Sequence, residues 1–392
     1  MAFKDKNILG KLKKGYVKDH NRFMEENNPW NTKEAKKQIE KFAELSKKYK
    51  NEAKISEETE KFSWLDIEPK YHTLFKDSEK NKTDKKLYNQ VPANVHYGLP
   101  SHVIGNFETA NFFLCLANPN IDVVDSYKTF EHSDSSGKKR VNNIFEYYKT
   151  FNEVTKFDKS SYFENFDTEE KINSYIINEK ESIIAQEMKQ FLSSLDNPTE
   201  KKLEKIFNGG QYYYIEKYYN FLFTEKGGIA EFRKQIKNEI LNKKPEEYEF
   251  IDKVIKADVC NLELFPFRSK TPSLDEGKYG NVILHEDTKT ILFTSKIIVR
   301  RIIQFLIDEN KNKPIFAFRM YDKWKSKISQ VLKNVYGLEE DEIIVFLTYC
   351  ESELFYGFPN TNGAISQKNL YRLPLDKYRI PKETFSNLQN SL

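Results

Sequence analysis

The chain has 392 residues, 39% of them hydrophobic and 14% aromatic, which excludes a disordered chain and leaves material for two domains or for one core with a large insertion. Its 63 Lys and Arg face 59 Asp and Glu, a formal net charge of +4. That near balance excludes a histone-like polycation but not a local basic groove.

The three cysteines, Cys115, Cys260 and Cys350, each sit in an apolar run. They form neither a disulfide framework nor a CxxC knuckle, which predicts buried thiols in a reducing compartment. The N-terminus carries no apolar secretory segment. The most apolar later stretch, 291–307, is broken by Lys296, Arg300 and Arg301, so it is not a membrane span. A soluble intracellular protein is expected.

Residues 1–90 are strongly charged and read as helix. The 32–51 segment sets Ala35, Ile39, Phe42, Ala43 and Leu45 near one face, with lysines elsewhere. From Val91 a Pro- and Gly-punctuated loop, with His96 and His102, leads into the continuously apolar run Phe112–Ala117. Such a run suits a strand buried on both faces of a parallel sheet. It stops at Asn118-Pro119-Asn120, and ligands of open α/β sheets usually bind at the carboxyl ends of strands.

Residues 123–250 have helical periodicity, with Ile172, Ile176, Ile183, Ile184 and Met188 on the spacing of one face and Gly pairs at 209–210 and 227–228 as breaks. They read as a helical insertion. Strand patterns return at 256–267, 280–294, 313–320 and 341–349, with helices at Ser295–Glu309 and Tyr321–Tyr336 between them. The alternation predicts an α/β fold, a three-layer αβα sandwich with a mainly parallel central sheet. Its core would be 91–122 with 251–392, decorated by the helical region 1–90 and the insertion 123–250.

Three strand ends carry Asn rather than a catalytic His, Cys or Ser: Asn118, Asn261, and the turn Asn360-Thr361-Asn362-Gly363. An Asn side chain offers a donor and an acceptor, so it orients water or reads a base edge but is no strong proton acceptor. Neither a Ser-His-Asp, HExxH, P-loop nor GxGxxG pattern occurs.

This order of elements resembles the uracil-DNA glycosylase superfamily. Leu116-Ala117-Asn118-Pro119-Asn120 is similar to its Gly-Leu-Asn-Pro-Gly motif, and Asn360–Gly363 stands where its late His-Pro-Ser or Asn-Pro-Ser-Gly motif falls. The segment from Arg319 to Trp324 lies where the strand and helix before that motif belong. The likeness spans 91–122 and 256–370. It departs at the glycines of the first motif and lacks the late histidine, since no His follows His285. That departure points away from His-assisted release and from a uracil-only substrate.

The resemblance implies a monofunctional DNA glycosylase that flips a base from double-stranded DNA and hydrolyses its N-glycosidic bond, leaving an abasic site, with no metal and no cofactor. Asn118 would hold the water and Asp122 would assist or stabilise the cationic sugar. Asn261 would read the base edge and Phe265 or Phe267 would stack on it. Asn360, Thr361, Asn362 and Gly363 would contact the leaving base or a flanking phosphate. Backbone phosphates would meet Arg268 and Lys270, and the basic loop Lys138, Lys139 and Arg140. The added helices and missing His resemble a branch that acts in phage defence on glucosylated hydroxymethylcytosine. On this reading the protein is a bacterial, nucleoid-associated monomer of the cytoplasm, without membrane contact or an obligate protein partner. Uracil or mismatch repair, a non-catalytic nucleic-acid-binding defence protein, and an unrelated α/β protein with structural Asn turns are the alternatives.

Overall fold

In the computed structural model the five residues Phe112–Leu116 are buried without exception. The structure describes residues 3–51, 62–71, 99–119, 166–195, 198–204, 206–207, 212–224, 228–267, 283–308, 312–357, 364–373 and 378–392. The described strands are β1 (Val103–Ile104), β2 (Phe112–Leu116), β3 (Ile177–Asn178), β4 (Val259–Glu263), β5 (Ile315–Phe318), β6 (Phe355–Gly357) and β7 (Tyr371–Arg372). They form one sheet in the order β3-β1-β4-β2-β5-β6-β7. The inner strands β4, β2, β5 and β6 are parallel, while β1 and β7 run antiparallel to their inner neighbours.

The helices named here are α1 (Lys6–Gly15), α2 (His20–Asn27), α3 (Lys33–Asn51), α4 (Glu169–Ile176), α5 (Ile183–Ser193), α6 (Gly228–Asn242), α7 (Phe250–Lys256), α8 (Lys289–Ile307), α9 (Tyr321–Tyr336), α10 (Glu340–Glu353) and α11 (Lys382–Ser391). Successive strand side chains point to opposite faces, so the sheet separates two cores. Phe113, Cys115, Phe316 and Phe318 pack with α1–α4, α8, α9 and α10. Phe112, Leu114, Leu116, Ile315 and Ala317 pack with α5, α6, α7 and α11. The result is the α/β sandwich expected from the alternation.

The N-terminal helices are part of a layer rather than a decoration. Ala35, Ile39, Phe42, Ala43 and Leu45, set on one face by their spacing, are all buried. Trp30 Nε1 donates to His102 Nδ1 at 3.1 Å. The Arg300 guanidinium pairs with Glu108, donates to the carbonyls of Val17 and Lys18 at 3.1 and 3.0 Å, and lies 4.8 Å over the Phe23 ring.

Two expected strands are helical. Within 280–294, Lys289 onward opens α8: Thr288 caps it by accepting from Ile291 N, and Glu68 accepts from Thr290 N and Oγ1 at 3.4 and 3.0 Å. Within 341–349 the chain forms α10, opened by a capping box in which Glu339 and Glu342 satisfy each other's backbone N–H. Both runs are short and apolar, and periodicity alone does not separate a buried helix from a buried strand. The strand expected at 341–349 falls instead at Phe355–Gly357. The insertion also contributes β3, which pairs with β1. The segments 256–267 and 313–320 hold β4 and β5, and the helix over Tyr321–Tyr336 matches its expected bounds. No described helix is long and apolar enough to cross a membrane.

One carboxylate holds α6 and α7 together. Glu239 accepts from the backbone N–H of Glu249, Phe250 and Ile251 at 2.9, 3.0 and 3.0 Å, and from Lys243 Nζ at 3.3 Å. Burial pushes its carboxyl up, but those backbone donors and Lys243 outweigh it and the group lies below the usual carboxylate range. A lowered folded-state pKa stabilises above the unfolded value of about 4.3 and is lost as pH falls through the folded one. Glu239→Gln is expected to lower the unfolding free energy by about 1–3 kcal/mol at neutral pH. In urea titrations repeated on acidification, the gap to wild type should narrow below about pH 4.

Candidate functional site at the carboxyl ends of the parallel strands

Numbered along the chain, the four inner strands lie second-first-third-fourth. The chain leaves β2 toward β4 on one side, then crosses back to β5 on the other. The crevice outside the carboxyl ends of β2 and β5 is therefore a topological switch point, where open α/β sheets bind ligands. Arg319 follows β5 there, with its N–H on Cys115 O at 2.9 Å. Met320 adopts a left-handed conformation (φ 55°, ψ 51°) before α9 begins. Such a backbone is uncommon for a side chain of this kind and clusters at functional turns.

Alternation along β4 carries two polar side chains onto an otherwise apolar face. Val259 belongs to the α5–α7 core, and Asn261 and Glu263 share its face. Both are 2% exposed. They lie opposite Leu114 and Leu116 of β2. A π-helical turn, Ile215–Tyr219, covers them. The Tyr219 phenol donates to Asn261 Oδ1. Burial pushes that phenol well above its ordinary range, so it remains a neutral donor. The amide is thereby oriented: its oxygen is engaged, and Nδ2 is buried with no partner among the described residues.

The turn is itself held by a buried carboxylate. Glu187 of α5 accepts from Tyr214 N at 2.9 Å and Ile215 N at 2.8 Å. Burial pushes its carboxyl up to about 8, against those two donors. The neighbouring Tyr218 has the Arg319 guanidinium 5.1 Å from its ring centre. Burial raises the Tyr218 phenol, Arg319 opposes the rise and Glu263 adds to it.

Asn118 ties the ends of β2 and β4 together. It is 7% exposed, and its Nδ2 donates to Phe267 O at 3.5 Å. Leu264 N and Phe265 N donate to Leu116 O and Ala117 O at 3.0 and 2.9 Å, extending the junction. Asn118 lies four positions beyond Leu114, the partner of Asn261. At roughly 3.3 Å per residue the two asparagines are about 13 Å apart along the strands, with Glu263 midway.

Phe265 and Phe267 do not serve the expected stacking role. Both are fully buried in the N-terminal core, 5.3 Å apart edge to face, with Phe267 against Trp30 and Tyr71 at 6.3 and 6.2 Å. They point away from the face bearing Asn261 and fill the core on the other side of the sheet. Asp122, Lys138, Lys139, Arg140, Arg268, Lys270, Asn360, Thr361, Asn362 and Gly363 lie outside the described residues, as does His96.

Sequence reasoning missed Glu263, Tyr218 and Tyr219 as members of this cluster. Glu263 had a signal, since polar residues two apart in an apolar strand share a face. The tyrosines had none, because nothing local in 212–219 fixes what the turn covers. Among the described residues no group of three or more His, Cys, Asp or Glu side chains is arranged to hold a metal ion. Comparison with protein-family models, with curated proteins and with solved structures returns no match for this chain.

His102 backs the cluster from the other face, and its carbonyl accepts from Glu263 N at 3.0 Å. Burial holds its imidazole down at about 3, against an unfolded value of about 6.5. The unfolded chain therefore binds a proton that the folded one refuses, so stability falls as pH drops from about 6.5 toward 3. Melting temperatures of His102→Phe should decline less steeply than wild type across that window. Parallel declines would show that other groups carry the acid sensitivity.

Proposed function

We propose that the protein is a DNA N-glycosyl hydrolase whose reacting centre is built around Glu263, with Asn261 and Asn118 on either side along the strands. The observation that supports this most is the buried Asn261–Glu263 pair beside the switch point. A carboxylate there, flanked by amides and without a Ser, Cys or His nucleophile on the same face of β4, suits a reaction through an oxocarbenium-like state.

In that reaction the glycosidic nitrogen takes the bonding electron pair as the C1′–N bond lengthens. Water adds its oxygen to C1′, and Glu263 receives the proton that the water loses. The departing base recovers a proton from solvent. The negative charge of Glu263 stabilises the cationic sugar before the water adds. The donor face of Asn261 meets an acceptor on the base, and Asn118 keeps the two strand ends in register. Both Asn261 and Glu263 lie under the tyrosine turn, so entry of a base requires that turn to lift. Extrusion of the nucleotide from the duplex costs a few kcal/mol. The missing late histidine favours a modified base, with glucosylated hydroxymethylcytosine of phage DNA as the first substrate to try, over uracil.

Duplex oligonucleotides bearing uracil, a mismatched thymine, hydroxymethylcytosine or its glucosylated form provide the test, with alkaline cleavage at abasic sites as readout. Cleavage at one modified base is expected. Glu263→Gln should slow it by about 10²–10⁴-fold while leaving the far-ultraviolet circular dichroism unchanged. Asn261→Ala should raise KM more than it lowers kcat. Absence of abasic sites from all four duplexes, or full activity of Glu263→Gln, would sink the proposal.

A further inference from the structure

The tyrosine turn has an outward side as well as the inward one that carries Tyr219. Tyr213 is 41% exposed, high for a ring of its size. Its ring meets Tyr214 edge to face at 5.5 Å and Tyr218 at 5.6 Å, and Tyr214 and Tyr218 lie 5.9 Å apart. Two cations attend the cluster: Lys217 Nζ lies 5.2 Å from the Tyr213 ring centre, and Arg319 stands over Tyr218. The one acidic side chain within the turn, Glu216, is directed at the Tyr212 N–H, where it accepts at 3.2 Å.

We infer that this outer surface, Tyr213 and Tyr214 with Lys217, is a stacking platform for the unpaired bases of a DNA strand. The ligand class follows from the chemistry of the surface. Aromatic faces stack on bases of any identity, and a lysine beside them meets the phosphates between the bases. A protein of net charge +4 has little long-range attraction for a polyanion, so its contacts must be local and partly non-ionic. The location agrees as well. Tyr219 of the same turn bonds Asn261 beside the switch point, so a strand stacked on Tyr213 and Tyr214 lies near that crevice. The inference rests on the glycosylase reading for the identity of the partner as DNA.

The test is fluorescence anisotropy of the full chain with a labelled oligothymidylate, a duplex of equal length, and heparin as a polyanion without bases. Wild type is expected to prefer the single strand to the duplex. Tyr213→Ala should weaken single-strand binding roughly tenfold, the loss of one stacked base, while Tyr213→Phe should retain it. Lys217→Ala should reduce the salt dependence of binding instead. Both residues are outside the core, and unchanged melting temperatures would show that the variants are folded. Equal binding by Tyr213→Ala and wild type, preference for the duplex, heparin competing as well as the single strand, or no binding at all would each overturn the platform. Base release, assayed separately, distinguishes the two proposals. Tyr213-dependent strand binding without abasic sites removes the hydrolase and leaves the platform. Abasic sites with Tyr213-independent binding do the reverse.

Discussion

Everything in the sheet is referred to one strand that has no wet side. Phe112–Leu116 is buried on both faces, so each neighbour must supply a full ladder and each face a helical layer. β4 and β5 provide the ladders, and the two helical layers provide the covers. Such a strand leaves no room for polar side chains along its length. Polar side chains must therefore gather where the strand ends or where a neighbour departs from the apolar pattern. Asn118 is the first case, and Asn261 with Glu263 is the second.

Burying helices on both faces exposes a second constraint: their first backbone N–H groups need acceptors. Carboxylates reach across from other elements to supply them. Glu68 serves α8, Glu239 serves α7 and Glu187 serves the tyrosine turn. The last two receive similar bonds yet shift in opposite directions. Glu239 has three backbone donors and Lys243, and it is held low. Glu187 has two backbone donors and lies near Glu216, so desolvation wins and it is pushed up to about 8. Its neutral form needs no counter-ion under the turn, which suits a place where Asn261 and Tyr219 already form a neutral pair.

Much of the fold was legible in the sequence because it rests on local pattern. The apolar run ending at Asn118 marked the central strand, and the 3.6-residue spacing of Ala35, Ile39 and Phe42 marked the buried face of α3. The misreadings came where pattern is ambiguous. Ile343–Leu347 is as apolar as a strand, and α10 even leaves Ile344 and Val345 exposed, so only the capping box at Glu339 and Glu342 tells helix from strand. Phe265 and Phe267 looked like ligand-facing aromatics beside an Asn. They fill the N-terminal core instead, and no local signal says which face such residues select. The tyrosine turn was invisible as a cover because its contact with β4 joins residues 42 positions apart.

The orientation of Asn261 sets what the site can recognise. An Asn amide ordinarily offers one donor and one acceptor side, and either can be turned to a ligand. Here the Tyr219 phenol occupies the oxygen, and since burial keeps that phenol protonated it acts as the donor of the pair. What remains is a buried N–H2 with no partner among the described residues, a state that costs about 1–3 kcal/mol while it lasts. Two positions along the same face, roughly 6.6 Å away, stands the Glu263 carboxylate. The face of β4 therefore carries an amide donor and then a carboxylate, in that order toward the strand end. On the proposed reading, a base that places an acceptor deep meets Asn261 Nδ2. One that places a donor deep meets Nδ2 donor to donor, and Asn261 cannot turn to accommodate it without breaking its bond to Tyr219.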